Sequence, residues 1–190
     1  MALVVGIDPS LTSTGIAALS DGRPVLLRSI GHGSRNGTSY AHRSDRIVSQ
    51  ARAVLAAIET GIRTQQPDLA VIEGPAYAHA NAYTHDCAGL WWGLYSGLRA
   101  RKIPISVIAP TTRAKWATGT GRADKRAVLD AVRTTWKPWA KLITNDDIAD
   151  ALTLAEAAAR HLDDPLHFPP RRRHIEALHT ITWPTESRPA

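Results

Sequence analysis

The order of apolar segments predicts a mixed α/β sheet flanked by helices, folded as one domain. Three observations carry that expectation. Three strand-like segments open the chain, later apolar strands alternate with stretches of helical period, and two strands stop abruptly at an acid followed by a turn signal.

Residues 3–8 form an apolar run ending at Asp8-Pro9, the pattern of a buried strand. Residues 14–19 and 24–30 are two further strands. Asp21-Gly22 between them signals a hairpin, and Arg23-Pro24 is expected to make its loop longer than two residues. The Gly- and Ser-rich residues 31–39 read as a loop. From Tyr40 to Gln65 the period changes: Ile47, Ala51, Val54, Leu55, Ile58 and Ile62 recur at helical spacing, with Arg43, Arg46, Arg52 and Arg63 mostly off that stripe. Residues 68–73 are another apolar strand, stopped by Gly74-Pro75. A helix over 84–101, a short strand over 105–109 ended by Pro110, and a loop containing Gly119-Thr120-Gly121 follow. Helices over 123–136 and 145–161 close the domain, the last on Ala-rich sequence of high helix propensity. After Asp163 the composition turns to proline and arginine. The domain therefore spans 1–163, and 164–190 is a Pro/Arg-rich C-terminal tail, extended over the domain or mobile.

The 190 residues, 44% of them hydrophobic, suffice for one core and would be cramped as two. A formal charge of +6 favours a polyanionic partner, because each phosphate neutralised by Lys or Arg releases counterions. Cys87 is the single cysteine, which excludes an intrachain disulfide or a Cys-based zinc cluster and suits a reducing compartment. The opening apolar run is broken by Gly6 and Asp8 and lacks a charged n-region, so it does not read as a signal peptide. Nothing approaches the ~20 apolar residues of a membrane span. The expectation is a soluble, cytoplasmic protein.

Two acids close apolar strands, Asp8 and Glu73. If those strands are adjacent and parallel, both carboxylates reach the sheet edge where α/β proteins place ligands. Taken singly, Asp8 could start an Asp-Pro turn and Glu73 could be a solvated strand end. Asp147 and Asp150 lie three apart at the start of the last helix, on one face. Capping by Asn145 or Asp146 and the helix dipole explain one or two acids there. They do not explain Asp150, set among Ile148, Leu152 and Leu154, where a carboxylate needs a partner and a metal ion is a natural one. Four hard oxygen ligands without a Cys or His pattern select Mg²⁺, with Mn²⁺ as substitute, over zinc. Two such ions about 4 Å apart suit phosphodiester hydrolysis.

Four strings now stand in order over residues 3–162: Gly6-Ile-Asp8-Pro-Ser-Leu-Thr-Ser-Thr-Gly15; Ile72-Glu73; Lys115 with Gly119-Thr-Gly121 and Ala123-Asp-Lys125; and Asp147-Ile-Ala-Asp150-Ala-Leu. Together they resemble the motifs of the RuvC family of Holliday junction resolvases. The resemblance implies an RNase H-like fold on a five-stranded mixed sheet, and a homodimer that nicks two strands of branched DNA symmetrically. It also implies that Asp8, Glu73, Asp147 and Asp150 bind the catalytic metals, with Lys115 and Lys125 near the scissile phosphate or backbone. Departures are local. Ser10 stands where the family usually has Gly, the two lysines are one residue closer, and the aromatic expected three residues beyond the second acid is replaced by Ala76, with Tyr77 next to it. Such divergence suits a bacteriophage version.

Arg113, Lys115, Arg122, Lys125 and Arg126 gather around a Gly-Thr-Gly loop opening a helix, a surface suited to phosphate, or else a solvated helix face. Trp116 is expected to pack beneath that loop. Tyr77 or Tyr83, with His79, Asn81 and His85, could meet an unstacked base, or form an ordinary polar loop. The helix over 84–101 carries one apolar stripe of Cys87, Leu90, Trp91, Leu94 and Leu98, with Trp92 and Tyr95 beside it. One face covers the sheet; the other is buried within the monomer or against a second copy. Arg171, Arg172 and Arg173 could clamp DNA, although a charge run in a tail is usually only solvated. Three rivals stay open. The first motif also resembles the phosphate loop of actin-like sugar and acetate kinases, which need two such domains. A non-catalytic branch binder would gain nothing from acids facing phosphate. A general flap or single-strand nuclease on the same fold is the hardest to separate from a strict resolvase.

Overall fold

β1 (Leu3–Asp8) is buried along almost its whole length and sits in the middle of the sheet, whose order is β3-β2-β1-β4-β5. The computed structural model describes residues 1–31, 33, 38–63, 65–75 and 82–185. β2 (Thr14–Ser20) returns antiparallel to β1, placing Gly15 opposite Asp8. β3 (Arg23–Ile30) follows after Asp21 and Gly22, whose φ values of 52° and 66° are both left-handed, as a two-residue primed hairpin turn requires. The loop is thus shorter than the sequence predicts: Arg23 already pairs with Ser20. Pro24 sits on the edge strand, where a missing N–H is tolerated, and a bulge at Ala18/Leu19 takes up the register.

β4 (Leu69–Glu73) runs parallel to β1, and β5 (Ile105–Ile108) parallel to β4. Helices cover both faces. α1 (Tyr40–Gly61) and α2 (Ala82–Ala100) bury Val54, Leu55, Ile58, Leu90, Trp91, Leu94 and Leu98 against Val5, Ile7, Ile16 and Ile72. On the other face lies α5 (Asp146–His161), buried from Ile148 to Ala159. Its small side chains let it approach the strands closely, and two glycines complete the fit. A Cβ on Gly6 would strike the Ala151 carbonyl, and one on Gly15 the Asp147 carbonyl. Any side chain at either position pushes α5 off the sheet.

Two helices arise where the sequence predicts none. α3 (Pro110–Thr118) begins at the proline expected only to end β5; proline is well suited to the first helical position, where no N–H is needed. It ends at Gly119, whose φ of 96° is left-handed. α4 (Lys125–Thr135) is capped by Asp124, which accepts from the Ala127 N–H at 2.8 Å. The second is α6 (Arg172–Leu178), within the Pro/Arg-rich segment. That segment lies over the domain: Asp164 accepts from the N–H groups of Ala2 and Gly22, and Leu166, Phe168, Leu178, Ile181 and Trp183 pack on the α5 side of the core. Among the described residues no helix is long and apolar enough to cross a membrane.

Candidate active site

β1 and β4 pair in parallel up to Ile7 and Ile72, so Asp8 and Glu73 emerge side by side at the same sheet edge. α5 carries the other two candidate acids near its start and sets Asp150 beside Asp8 and Glu73. Asn145 caps this helix, its Oδ1 accepting from the Ile148 N–H at 3.0 Å, which leaves Asp146, Asp147 and Asp150 free for other partners. Asp150 is only 4% exposed.

The site is short of positive charge. Burial drives the Asp8 carboxyl well above its ordinary range, and the charge and hydrogen bond of Glu73, then the charge of Asp150, push the same way against Arg113. Burial likewise lifts Asp150 to about 7, with Arg113 opposing and Glu73 reinforcing. Arg113 stands among all three acids: its Nε donates to Glu73 Oε1 at 2.7 Å and one Nη to Asp150 Oδ1 at 2.5 Å. One guanidinium serves three carboxylates.

Asp147 is handled separately. Ser13 Oγ donates to Asp147 Oδ2 at 2.5 Å, from a loop that Thr14 fixes by accepting the Ser10 N–H and donating to the Ser10 carbonyl. Lys125 pairs with Asp146 at 2.7 Å, one residue earlier.

Among the described residues no three Asp, Glu, His or Cys side chains form a closed set of metal ligands. Arg113 lies between Glu73 and Asp150, and Asp147 is held by Ser13. The donor chemistry nonetheless fits a hard divalent cation. Every candidate ligand is a carboxylate oxygen, and burial first, then neighbouring acids, raises the Asp8 and Asp150 carboxyls.

The expected DNA contacts divide. Lys115, Arg122, Lys125 and Arg126 are exposed on α3, the following loop and α4. Arg113, grouped with them by sequence, is instead drawn inward because β1, β4 and α5 concentrate acids beside α3. Tyr77, with His79 and Asn81, lies outside the described residues. Trp116 packs beneath the loop at 2% exposed. Ser13 carried a weak signal, one hydroxyl in the Ser/Thr-rich loop after Asp8, and nothing in its spacing pairs it with Asp147. Arg171, Arg172 and Arg173 belong to the cap and first turn of α6.

The family model described as crossover junction endodeoxyribonuclease RuvC matches residues 4–158. A protein of that name from Rickettsia akari is 30% identical over 154 residues, covering 80% of this chain and 94% of the relative. The one from Saccharopolyspora erythraea is 30% identical over 153 residues, covering 80% and 74%. Among solved structures, Thermus thermophilus RuvC superposes with a TM-score of 0.58 at 18% identity, over 85% of this chain and 97% of that one. The yeast mitochondrial Holliday junction resolvase gives 0.53 at 15% identity, over 80% and 75%. These structural likenesses bear on the fold, an RNase H-like five-stranded mixed sheet.

Proposed function

The chain belongs to the family of the crossover junction endodeoxyribonuclease RuvC, metal-dependent nucleases of Holliday junctions, and on that premise we propose that Asp8, Glu73, Asp147 and Asp150 are its metal-binding catalytic acids. The observation that supports this reading is the crowding of acid: Asp8, Glu73 and Asp150 act on one another, while Arg113 bonds two of them and the charge of Lys125 also reaches Asp150. Mg²⁺, or Mn²⁺ in its place, would at two ions per site supply an activated water and charge stabilisation for the leaving 3′ oxygen.

The chain's own residues do the rest. Asp8 and Glu73 present oxygens from rigid strand ends, and Asp147 and Asp150 from one face of α5. Ser13 orients Asp147 through its hydrogen bond. For Glu73 and Asp150 to hold a divalent cation, Arg113 would have to release them, and its guanidinium would then be available to phosphate. Lys115, Arg122, Lys125 and Arg126 meet the DNA backbone, and Tyr77 the branch point. A homodimer suits a two-fold substrate, and Trp92, 60% exposed on α2 beside Trp91 and Tyr95, offers an aromatic surface for it.

The test is cleavage of labelled four-way junction, three-way junction, flap and duplex, with Mg²⁺, with Mn²⁺ and with chelator. Preferred cutting of the four-way junction, leaving 5′-phosphate and 3′-hydroxyl ends and lost with chelator, is expected. Asp8→Asn should abolish cutting and keep junction binding. Full activity in Asp8→Asn, or flap and single-strand cutting without junction preference, overturns the assignment.

A further inference from the structure

The family match stops at residue 158, so α6 lies outside it, yet α6 reaches back to the end of α3. Arg173 donates from Nε to the Trp116 carbonyl at 2.7 Å and from an Nη to the Ala117 carbonyl at 2.7 Å. Both carbonyls belong to the last turn of α3, where helix geometry leaves acceptors without an intrahelical donor and where positive charge suits the dipole. A guanidinium fork is the side chain that satisfies two such acceptors at once.

His174 completes the joint. Its ring stacks on Trp116 with centroids 4.7 Å apart and planes within 5°, and both residues are 2% exposed. The Arg171 N–H donates to His174 Nδ1, so Nε2 carries the proton and donates to the Trp116 carbonyl at 3.1 Å. The segment is anchored elsewhere as well. Ser106 of β5 donates to the Thr182 carbonyl at 2.8 Å, and Trp183 stacks on His161 of α5 at 4.0 Å.

We infer that the C-terminal segment is a brace that sets the position of the loop between α3 and α4, with Arg173 and His174 as positioning residues for junction binding. This loop has glycine on either side of Thr120, so its own backbone preference is weak. Lys115 lies just before it, Arg122 in it and Lys125 just after it. Fixing the loop from outside reduces the ordering that DNA binding must otherwise impose. The inference rests on the reading of these residues as backbone contacts, and the experiment separates the two.

The full chain carrying Arg173→Ala is compared with wild type by amide hydrogen exchange and by steady-state cleavage of a four-way junction. Losing two hydrogen bonds should speed exchange at residues 117–122 about tenfold. KM should rise by a similar factor, with kcat within about twofold, since the acids do not depend on this joint. Arg172→Ala is the control for charge alone: Arg172 is exposed and, among the described residues, pairs within α6 with Glu176 at 2.8 Å. Unchanged loop exchange in Arg173→Ala overturns the brace. An equal rise of KM in Arg172→Ala overturns it too, in favour of a simple charge clamp. Where the loop loosens and KM stays, Lys115→Ala decides: a raised KM there rejects the brace as a DNA-positioning device, whereas an unchanged one rejects the backbone-contact reading and leaves the brace standing.

Discussion

Asp150 and Glu156 sit six residues apart on α5, each 4% exposed and each pushed up by burial. Each has an arginine: Arg113 at 2.5 Å from Asp150, Arg160 at 3.3 Å from Glu156. Around Glu156 the account closes within the protein. Trp136 Nε1 donates to its Oε2 at 3.2 Å, His174 lies 3.6 Å from its Oε1, and Arg160 also donates to the Phe168 carbonyl. Around Asp150 it does not close, because Glu73 takes the same guanidinium and Asp8 adds a third acid. Burial alone therefore does not separate the two acids, whereas a local excess of carboxylate over cation does.

The largest expected effect breaks or upholds that contrast directly. Asp150→Asn should cut a four-way junction about a thousandfold more slowly, in keeping with the several kcal/mol a catalytic metal's charge supplies, while still binding it. Glu156→Gln should leave kcat within about threefold and lower unfolding stability by about 1 kcal/mol, because its amide NH2 faces a donor where an oxygen accepted from Trp136 or Arg160. Cleavage rates paired with urea melts read both. The contrast collapses if Glu156→Gln loses activity while keeping its stability.

The sequence made one of these regions legible and hid the other. Asp8 and Glu73 each end an apolar run, and Asp147 and Asp150 share a helix face, so all four could be named before any coordinates. Parallel pairing of β1 and β4 is only a condition in that reading, and the structure supplies it. Arg113 was found and misplaced, since sequence shows a basic cluster but not which member turns toward the acids. Ser13's bond to Asp147 depends on how α5 meets the β1–β2 loop, and Lys125's pairing with Asp146 on how α4 meets α5, tertiary facts without a local pattern. The Glu156 cluster was invisible for the same reason. Its members, Trp136, Arg160, His174 and Glu156, come from three separated stretches, and α6 hides in a run of prolines and arginines that reads as tail.

The second prediction sharpens the closed side. Burial, then Arg173 and Arg160, with Arg171 further off, hold His174 down at about 4 from an ordinary 6.5, against the Trp116 carbonyl; Glu156 faces it from α5. A base lowered by folding contributes stability that is complete above pH 6.5 and lost as pH falls through 4. Glu156 is raised, so its own contribution runs the opposite way, and a bare pH profile mixes the two. The difference between wild type and His174→Gln isolates the histidine. That difference should shrink by up to about 3 kcal/mol between pH 7 and pH 4 in urea melts. A gap independent of pH removes the neutral histidine from the brace.

The smallest effect tests the open side without DNA or turnover. Arg113 bonds both Glu73 and Asp150, so a divalent cation entering there competes with its guanidinium. Arg113→Ala should bind Mn²⁺ about tenfold more tightly by calorimetric titration at pH 8, a change of about 1.4 kcal/mol, because nothing has to be displaced. The metal-free variant should melt lower than wild type, with its carboxylates unscreened, and the rise in melting temperature on adding Mn²⁺ should be larger. Arg160→Ala provides the matching comparison: it should lose stability and leave Mn²⁺ affinity unchanged, since Glu156 has no second acid with which to hold an ion. Weaker Mn²⁺ binding in Arg113→Ala would show the arginine supporting the ligands rather than standing in for the metal, and the charge shortage would then no longer distinguish Asp150 from Glu156.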